Sequence, residues 1–276
     1  MSIEVCVLAS GSGGNCTVVR TPAGTLLFDA GLGPRNTAKR LNGTGVRMSD
    51  IVGICPTHLD TDHFSPEWVK RNIRIFCHEG VVKELSEMGG PDAMSRVTIF
   101  RDRFEPLPGV VIESIELAHD QKSCRAFVME AFDCRIGYAT DLGEVPTSLI
   151  NAFTRLDLLA LESNYDPQMQ MDSTRPWFLK QRIMGGRGHL SNEQAFDAVR
   201  KILDRHQSAD HALPSHVVLL HRSRQCNCPK VVRKLFESDA RLRDRLTLAE
   251  QFQPTPWLRV RPSKPLVGEQ MMLTWG

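Results

Sequence analysis

The sequence contains no apolar run approaching the roughly 18 residues that a membrane-spanning helix requires. It also lacks a basic leader. Met1-Ser2-Ile3-Glu4 carries an acidic residue where a signal peptide is positive, and the apolar stretch that follows stops at Ser10-Gly11. These absences predict a soluble, cytoplasmic protein with no membrane partner. Charge of one sign is missing too: 34 Lys and Arg face 32 Asp and Glu, a net of +2. A strongly basic tail is thereby excluded, although local basic patches are not. There is no internal repeat and no low-complexity segment. The eight cysteines form no disulfide framework, since six lie singly in apolar, strand-like segments, and they predict small core residues. Cys226-Asn227-Cys228 has no second cysteine pair to complete a tetrahedral site and reads as loop. Gly11-Ser12-Gly13-Gly14 follows a strand but lacks the third glycine of a dinucleotide fingerprint, so it reads as a backbone turn bonded across by Asn15. No Ser/His/Asp catalytic arrangement is visible.

With 41% apolar and 24% charged residues, the 276-residue chain has a globular composition. Apolar runs bounded by turn residues predict strands over 3–9, 16–20, 25–29, 51–55, 73–76, 110–117, 126–131, 135–140, 157–162 and 216–221. Helical spacing predicts helices over 33–41, 177–184, 192–205 and 229–238. Ser191 with Gln194 forms a capping box for the third of these. Many strands with interspersed helices predict a layered α+β domain, two sheets between helices. A single domain over residues 1–276 is expected, with a C-terminal extension after about residue 246, where four prolines make the pattern hard to read.

The informative segment is Thr57-His58-Leu59-Asp60-Thr61-Asp62-His63. Four potential ligands, His58, Asp60, Asp62 and His63, fall directly after an apolar strand. Alternation by two places the first three on one side of an extended segment. Imidazole and carboxylate suit zinc, iron or manganese. Further candidates sit where strands give way to loops: His119, Asp141 and His221.

These residues resemble the metallo-β-lactamase-fold hydrolases. The cluster is similar to that family's His-x-His-x-Asp-His signature, and His119, Asp141 and His221 resemble its later ligands in chain order. Phe28-Asp29-Ala30-Gly31 resembles its early aspartate motif, in which Asp29 would support the metal loop from behind. Within the family, the YycJ-like (WalJ-like) exonuclease branch is the nearest likeness. It is carried by residues 8–15, Thr140-Asp141-Leu142-Gly143, Leu161-Glu162-Ser163-Asn164, Gly188-His189-Leu190-Ser191-Asn192 and the stretch from His221 to Asn227. Asp60 departs from the pattern, standing where the family has a second histidine. A harder oxygen donor shifts preference from zinc toward manganese or iron.

The resemblance implies a four-layer αβ/βα sandwich and two divalent ions that generate hydroxide for attack on a phosphodiester. His58, Asp60 and His119 would hold one ion, and Asp62, His63 and His221 the other, with Asp141 bridging. Asp62 would accept the proton of the attacking water. Gly188-His189-Leu190-Ser191-Asn192 resembles the histidine motif of transfer-RNA 3′-processing endonucleases, with His189 as general acid oriented by Glu162. Substrate contacts are expected from Asn15, Arg187, Ser191, Arg222 and Arg224, inside two basic stretches that flank the site. Trp177 and Phe178 stand within the first stretch as candidate base-stacking groups. The leading expectation is a DNA exonuclease of 5′ to 3′ polarity with nucleic acid as its partner. The alternatives are hydrolysis of a cyclic nucleotide, lactone or thioester, and a non-catalytic metal-dependent binding protein.

Overall fold

Strand β1 (Ile3–Ala9) is apolar on both faces, and its two faces serve different cores. Ile3, Val5 and Val7 join one apolar cluster, while Cys6 and Leu8 join another. A period of two makes this division, because successive side chains of a strand point to opposite sides. The structure, a computed structural model, describes residues 2–119 and 122–262.

The chain continues through the hairpin β2 (Cys16–Thr21) and β3 (Gly24–Ala30), then α1 (Pro34–Leu41), β4 (Ile51–Cys55), β5 (Arg74–His78), α2 (Val82–Met94) and β6 (Val97–Phe100). A second sheet opens with the antiparallel strands β7 (Arg103–Leu107), β8 (Val110–His119), β9 (Lys122–Ala131) and β10 (Cys134–Ala139). There follow α3 (Thr147–Ala152), β11 (Leu158–Glu162), α4 (Pro167–Asp172), α5 (Trp177–Met184), α6 (Asn192–Ser208), β12 (His216–Leu220) and α7 (Pro229–Phe236). Short strands β13 (Leu246–Leu248) and β14 (Leu258–Val260) end the described fold. The sheet orders are β14-β1-β2-β3-β4-β5-β6 and β13-β12-β11-β10-β9-β8-β7. Residues beyond 246 thus supply an edge strand to each sheet.

One core fills the space between the sheets, including Val5, Phe28, Phe127, Ile136, Leu158 and Val218. A second lies between the β7–β13 sheet and α3, α6 and α7, and a third between the other sheet and α1 and α2. Each inner strand therefore divides its side chains: Leu158 and Ala160 of β11 face the central core, Leu159 and Leu161 the helices. The result is the four-layer αβ/βα sandwich anticipated from the sequence. The Ser191–Gln194 capping box forms as expected, and Ala195, Val199, Ile202 and Leu203 give α6 its buried stripe. Of the eight free cysteines, seven are buried and Cys228 is partly exposed.

Three helices were not legible. In α2 the run Gly89-Gly90-Pro91 looks like a helix end, and Gly90 does take φ 62°, kinking two helical stretches that nevertheless abut. α3 and α4 are six residues each, too short for a periodic stripe. Among the described residues no helix is long and apolar enough to cross a membrane.

Candidate metal centre

Strands β3 and β4 run parallel, as do β10, β11 and β12. β8 is antiparallel to β9, which is antiparallel to β10, so β8 points the same way as β10. The C-terminal ends of these strands carry Asp29, the 57–63 loop, His119, Asp141, Glu162 and His221. Open α/β sheets gather working groups at that edge.

Three of these residues adopt left-handed backbone: Asp29 (φ 57°), Asp141 (φ 54°) and His221 (φ 51°). For a residue with a Cβ this costs about 1–3 kcal/mol and persists only where the surroundings dictate it. Here it turns each side chain off the end of its strand into the gap between the sheets. The 57–63 loop is not extended as alternation suggested. The N–H groups of His63 and Phe64 both donate to the Asp60 carbonyl, at 2.7 and 2.8 Å, and close a turn. Its close seat depends on Gly31, where a Cβ would lie 1.9 Å from the Asp62 carbonyl oxygen.

The turn brings the His58 and His63 rings to 4.2 Å between centroids. His63 Nε2 lies 3.1 Å from Asp141 Oδ2 and 3.8 Å from Asp62 Oδ2. His221 Nε2 lies 3.4 Å from Asp62 Oδ2, and its Nδ1 lies 2.6 Å from Asp141 Oδ1. Asp62, His63, Asp141 and His221 each offer one donor atom within 4.8 Å of the others. His58 Nε2 approaches Asp141 Oδ2 to 3.5 Å and Asp60 Oδ2 to 3.8 Å, beside that group rather than within it. His119 ends β8, but its side chain lies outside the described residues.

The donor chemistry fits a divalent cation. Imidazole nitrogens and carboxylate oxygens converge in a buried place that would otherwise have to neutralise its own charge. Burial works against protonation of His63 and His221, yet the carboxylates facing them, Asp141 foremost, hold both well above the usual histidine range. Burial likewise opposes ionisation of Asp141, and the two histidines overcome it and keep its carboxyl well below the usual carboxylate range. His58, buried and next to the His63 cation, is pushed down to about 4. A metal binds imidazole nitrogens that carry no proton, so metal affinity is expected to fall as pH is lowered.

Asp29 lies behind the cluster, fully buried. Its Oδ2 accepts from His63 Nδ1 at 2.9 Å and from the Tyr138 hydroxyl at 3.1 Å, while Oδ1 accepts the Thr57 N–H and hydroxyl. The contact on Nδ1 leaves Nε2 of His63 as the nitrogen that faces the cluster. Asp29→Asn is expected to weaken metal affinity about 10–100-fold. A competition titration against a chromophoric chelator reads this, and an affinity within twofold of wild type removes the orienting role.

A second group overlaps the first: Asp141, Glu162, His189 and His221. Glu162 is completely buried, and its Oε1 lies 2.8 Å from His189 Nδ1 and 2.9 Å from His221 Nδ1. Its Oε2 accepts the N–H groups of Leu142 and Leu190, at 3.1 and 3.3 Å. Burial resists the charge on Glu162, but His189 and His221 outweigh it and hold its pKa below the ordinary value. His189 is raised: burial acts against it and the Glu162 charge prevails. The loops carrying Asp141 and His189 touch where Gly143 has no side chain, since a Cβ there would lie 2.3 Å from the Gly186 carbonyl carbon.

The residues expected to contact substrate divide. Asn15 is only 2% exposed and turned inward. Its Nδ2 lies 2.9 Å from His63 Nε2 and donates to the Asp62 carbonyl, and its Oδ1 accepts the Gly11 N–H at 2.8 Å. Asn15 is thus a scaffold for the ligand turn, with the across-the-turn bond that the glycine-rich loop suggested. Ser191 is 6% exposed and its hydroxyl accepts the Gln194 N–H, a helix cap. Lys180 of the basic stretch is also withdrawn, donating its ammonium to the Met171 carbonyl. Arg187 and Arg224 are exposed, and Arg222 is partly so. Arg175 donates to Gln225, joining the two basic stretches. Sequence reasoning missed three supports: Ser10, whose hydroxyl accepts the His221 N–H at 2.7 Å, Asn164, which donates to the His221 carbonyl at 2.7 Å, and Tyr138. Ser10 and Asn164 had a signal, each lying in a stretch already singled out, residues 8–15 and 161–164; Tyr138 had none.

Comparison with known proteins agrees with this architecture. Residues 25–217 match the family model described as a beta-lactamase superfamily domain. The chain is 26% identical over 237 residues to a Bacillus anthracis protein named exodeoxyribonuclease YycJ, covering 84% of this chain and 87% of that one. It is 27% identical over 209 residues to exodeoxyribonuclease WalJ of Streptococcus pneumoniae, with 74% and 78% covered. Among solved structures, the metallo-β-lactamase-fold protein YhfI from Bacillus subtilis superposes with a TM-score of 0.67 at 13% identity, over 92% of this chain and 99% of that one.

Proposed function

Because this chain belongs to the beta-lactamase superfamily, with its metal-dependent hydrolases, we propose that it is a phosphodiesterase acting on nucleic acid: a DNA exonuclease of 5′ to 3′ polarity, working in the cytoplasm. The observation that carries the reading is the Glu162–His189 pair beside the His63–Asp141–His221 cluster. Phosphodiester cleavage needs a proton at the departing oxygen, and a histidine held by a buried carboxylate next to a cation site supplies one. The relatives named as exodeoxyribonucleases support the substrate class.

His58, Asp60 and His119 on one side, and Asp62, His63 and His221 on the other, with Asp141 between, would hold two divalent ions of zinc, manganese or iron. Such ions, when bound, activate water and neutralise the charge of the phosphodiester. The protein side chains do the rest. Asp62, partly exposed and held below its ordinary pKa by His221 and His63 against the effect of burial, is ionised and placed to take a proton from the attacking water. Glu162 occupies Nδ1 of His189, which leaves Nε2 as the nitrogen that would donate to the leaving oxygen. Arg187, Arg222 and Arg224 face the phosphates that follow. Their contacts carry no base information, so cleavage is expected to be largely independent of sequence.

The test is a cleavage assay with manganese and, separately, zinc on single-stranded and double-stranded DNA and on RNA, labelled at either end. Stepwise release of the 5′ label, lost on chelation, is the expected result. Turnover of a cyclic nucleotide, lactone or thioester without any cleavage of nucleic acid overturns the reading in favour of a small-molecule hydrolase. Binding without turnover of anything marks a metal-dependent binding protein.

A further inference from the structure

The glycine-rich loop that carries Asn15 is clasped by a segment far away in sequence. Ser10 N–H donates to the Glu250 carbonyl at 3.0 Å, Gly13 N–H donates to Gln251 Oε1 at 2.7 Å, and Gln251 Nε2 returns to the Gly14 carbonyl at 2.9 Å. Ala249 N–H is bonded to Leu219, and Thr255 to both backbone groups of Val7. Between these fixed points stands Phe252, 59% exposed. A single exposed phenylalanine is unremarkable, but this one is flanked by cations. The Arg224 guanidinium carbon lies 4.6 Å from the ring centroid and that of Arg40 lies 5.8 Å away. Arg40 is anchored in turn by donating to the Gln251 carbonyl. Arg224 lies three residues beyond His221, and the Arg222 carbonyl borders Gly11. The ring therefore stands beside the glycine-rich loop whose Asn15 contacts His63, on a segment held rigid by its neighbours.

We propose that Phe252 is a stacking platform for an unpaired nucleobase, with the exposed Arg224 taking a neighbouring phosphate and Arg40, bonded to the Gln251 carbonyl, bracing the ring. The inference rests on the nucleic-acid reading above and deepens it, by making single-stranded ends the preferred substrate. A flat apolar ring accepts the π-face of any base, and a guanidinium beside it adds cation–π attraction and a charge for the backbone. Neither group favours an uncharged small molecule. A protein partner would need a larger apolar patch than one ring between two arginines.

The test uses the full chain and a fluorescently labelled oligothymidylate, with binding read by anisotropy in chelator so that cleavage plays no part. Phe252→Ala is expected to weaken binding about 5- to 100-fold, the alanine-scan range for one stacked base. Phe252→Trp should restore it. The loss should shrink on an abasic strand of equal length, which has phosphates but nothing to stack. Arg224→Ala should weaken both strands and lower the salt dependence by about 0.7 in the log–log slope, whereas Phe252→Ala should leave that slope in place. A wild type that cleaves single-stranded DNA while Phe252→Ala binds and cleaves it within twofold overturns the platform alone. A wild type that neither binds nor cleaves any nucleic acid overturns the parent reading and the platform together.

Discussion

Asp141→Ala is expected to lower hydrolysis by more than about a thousandfold, beyond the roughly 10²–10³-fold cost of deleting one preorganised electrostatic partner. The reason is its position rather than its charge alone. One carboxylate oxygen faces His63 and His58 and the other faces His221, so Asp141 is the group that touches both halves of the site. Deleting it also leaves two buried imidazoles without their principal counter-charge, a loss of about 3–5 kcal/mol when one partner of a buried pair is removed. The isosteric Asp141→Asn keeps the packing and should fold more readily while losing the same activity. Elemental analysis and rates for both variants check this. A folded Asp141→Asn protein with wild-type turnover and metal content would remove Asp141 from the centre.

The second large effect is expected at Glu162. Its two oxygens receive four donors, two imidazole Nδ1 groups and two backbone N–H groups. In Glu162→Gln one oxygen becomes an amino group, so at least one pair of donors faces a donor. Activity should fall about 10–100-fold, the usual cost of losing a partner behind a working histidine. The pH profile separates this from simple loosening of the core. A general acid works in its protonated form, so the rate declines as pH rises through the pKa of His189. The Glu162 charge holds that pKa above the ordinary histidine value, and removing the charge should move the alkaline limb to lower pH. An alkaline limb that stays in place while the rate drops assigns Glu162 a structural role only.

Much of this site could be read from the chain because its parts are local. His58, Asp60, Asp62 and His63 fall within one turn, and the other candidates sit at the ends of strands that are apolar enough to find by eye. The fold followed from the same strands, whose two-sided burial gives runs of Val, Ile and Leu. What resisted reading was long-range or weakly patterned. Glu162 serves His221 as well as His189, a bond spanning 59 positions. Asn15 looked like a substrate contact because polar residues in glycine-rich loops often are, whereas its neighbours in space turn it inward. Phe252 carries no motif at all, since a lone aromatic among prolines has no period. Its meaning comes from Arg40 and Arg224, 212 and 28 positions away.

The clasp around Gln251 also constrains when this protein can become competent. The loop at residues 10–15 emerges early in synthesis, yet its clasp from Glu250 and Gln251 arrives only once those residues have been made. Until then the nascent chain can pair β1 with β2 and tie the Asn15 turn to Gly11 and Asp62, but the outer side of the loop lacks its clasp. Translation therefore reaches nearly its last described strand before a metal could meet a finished cradle.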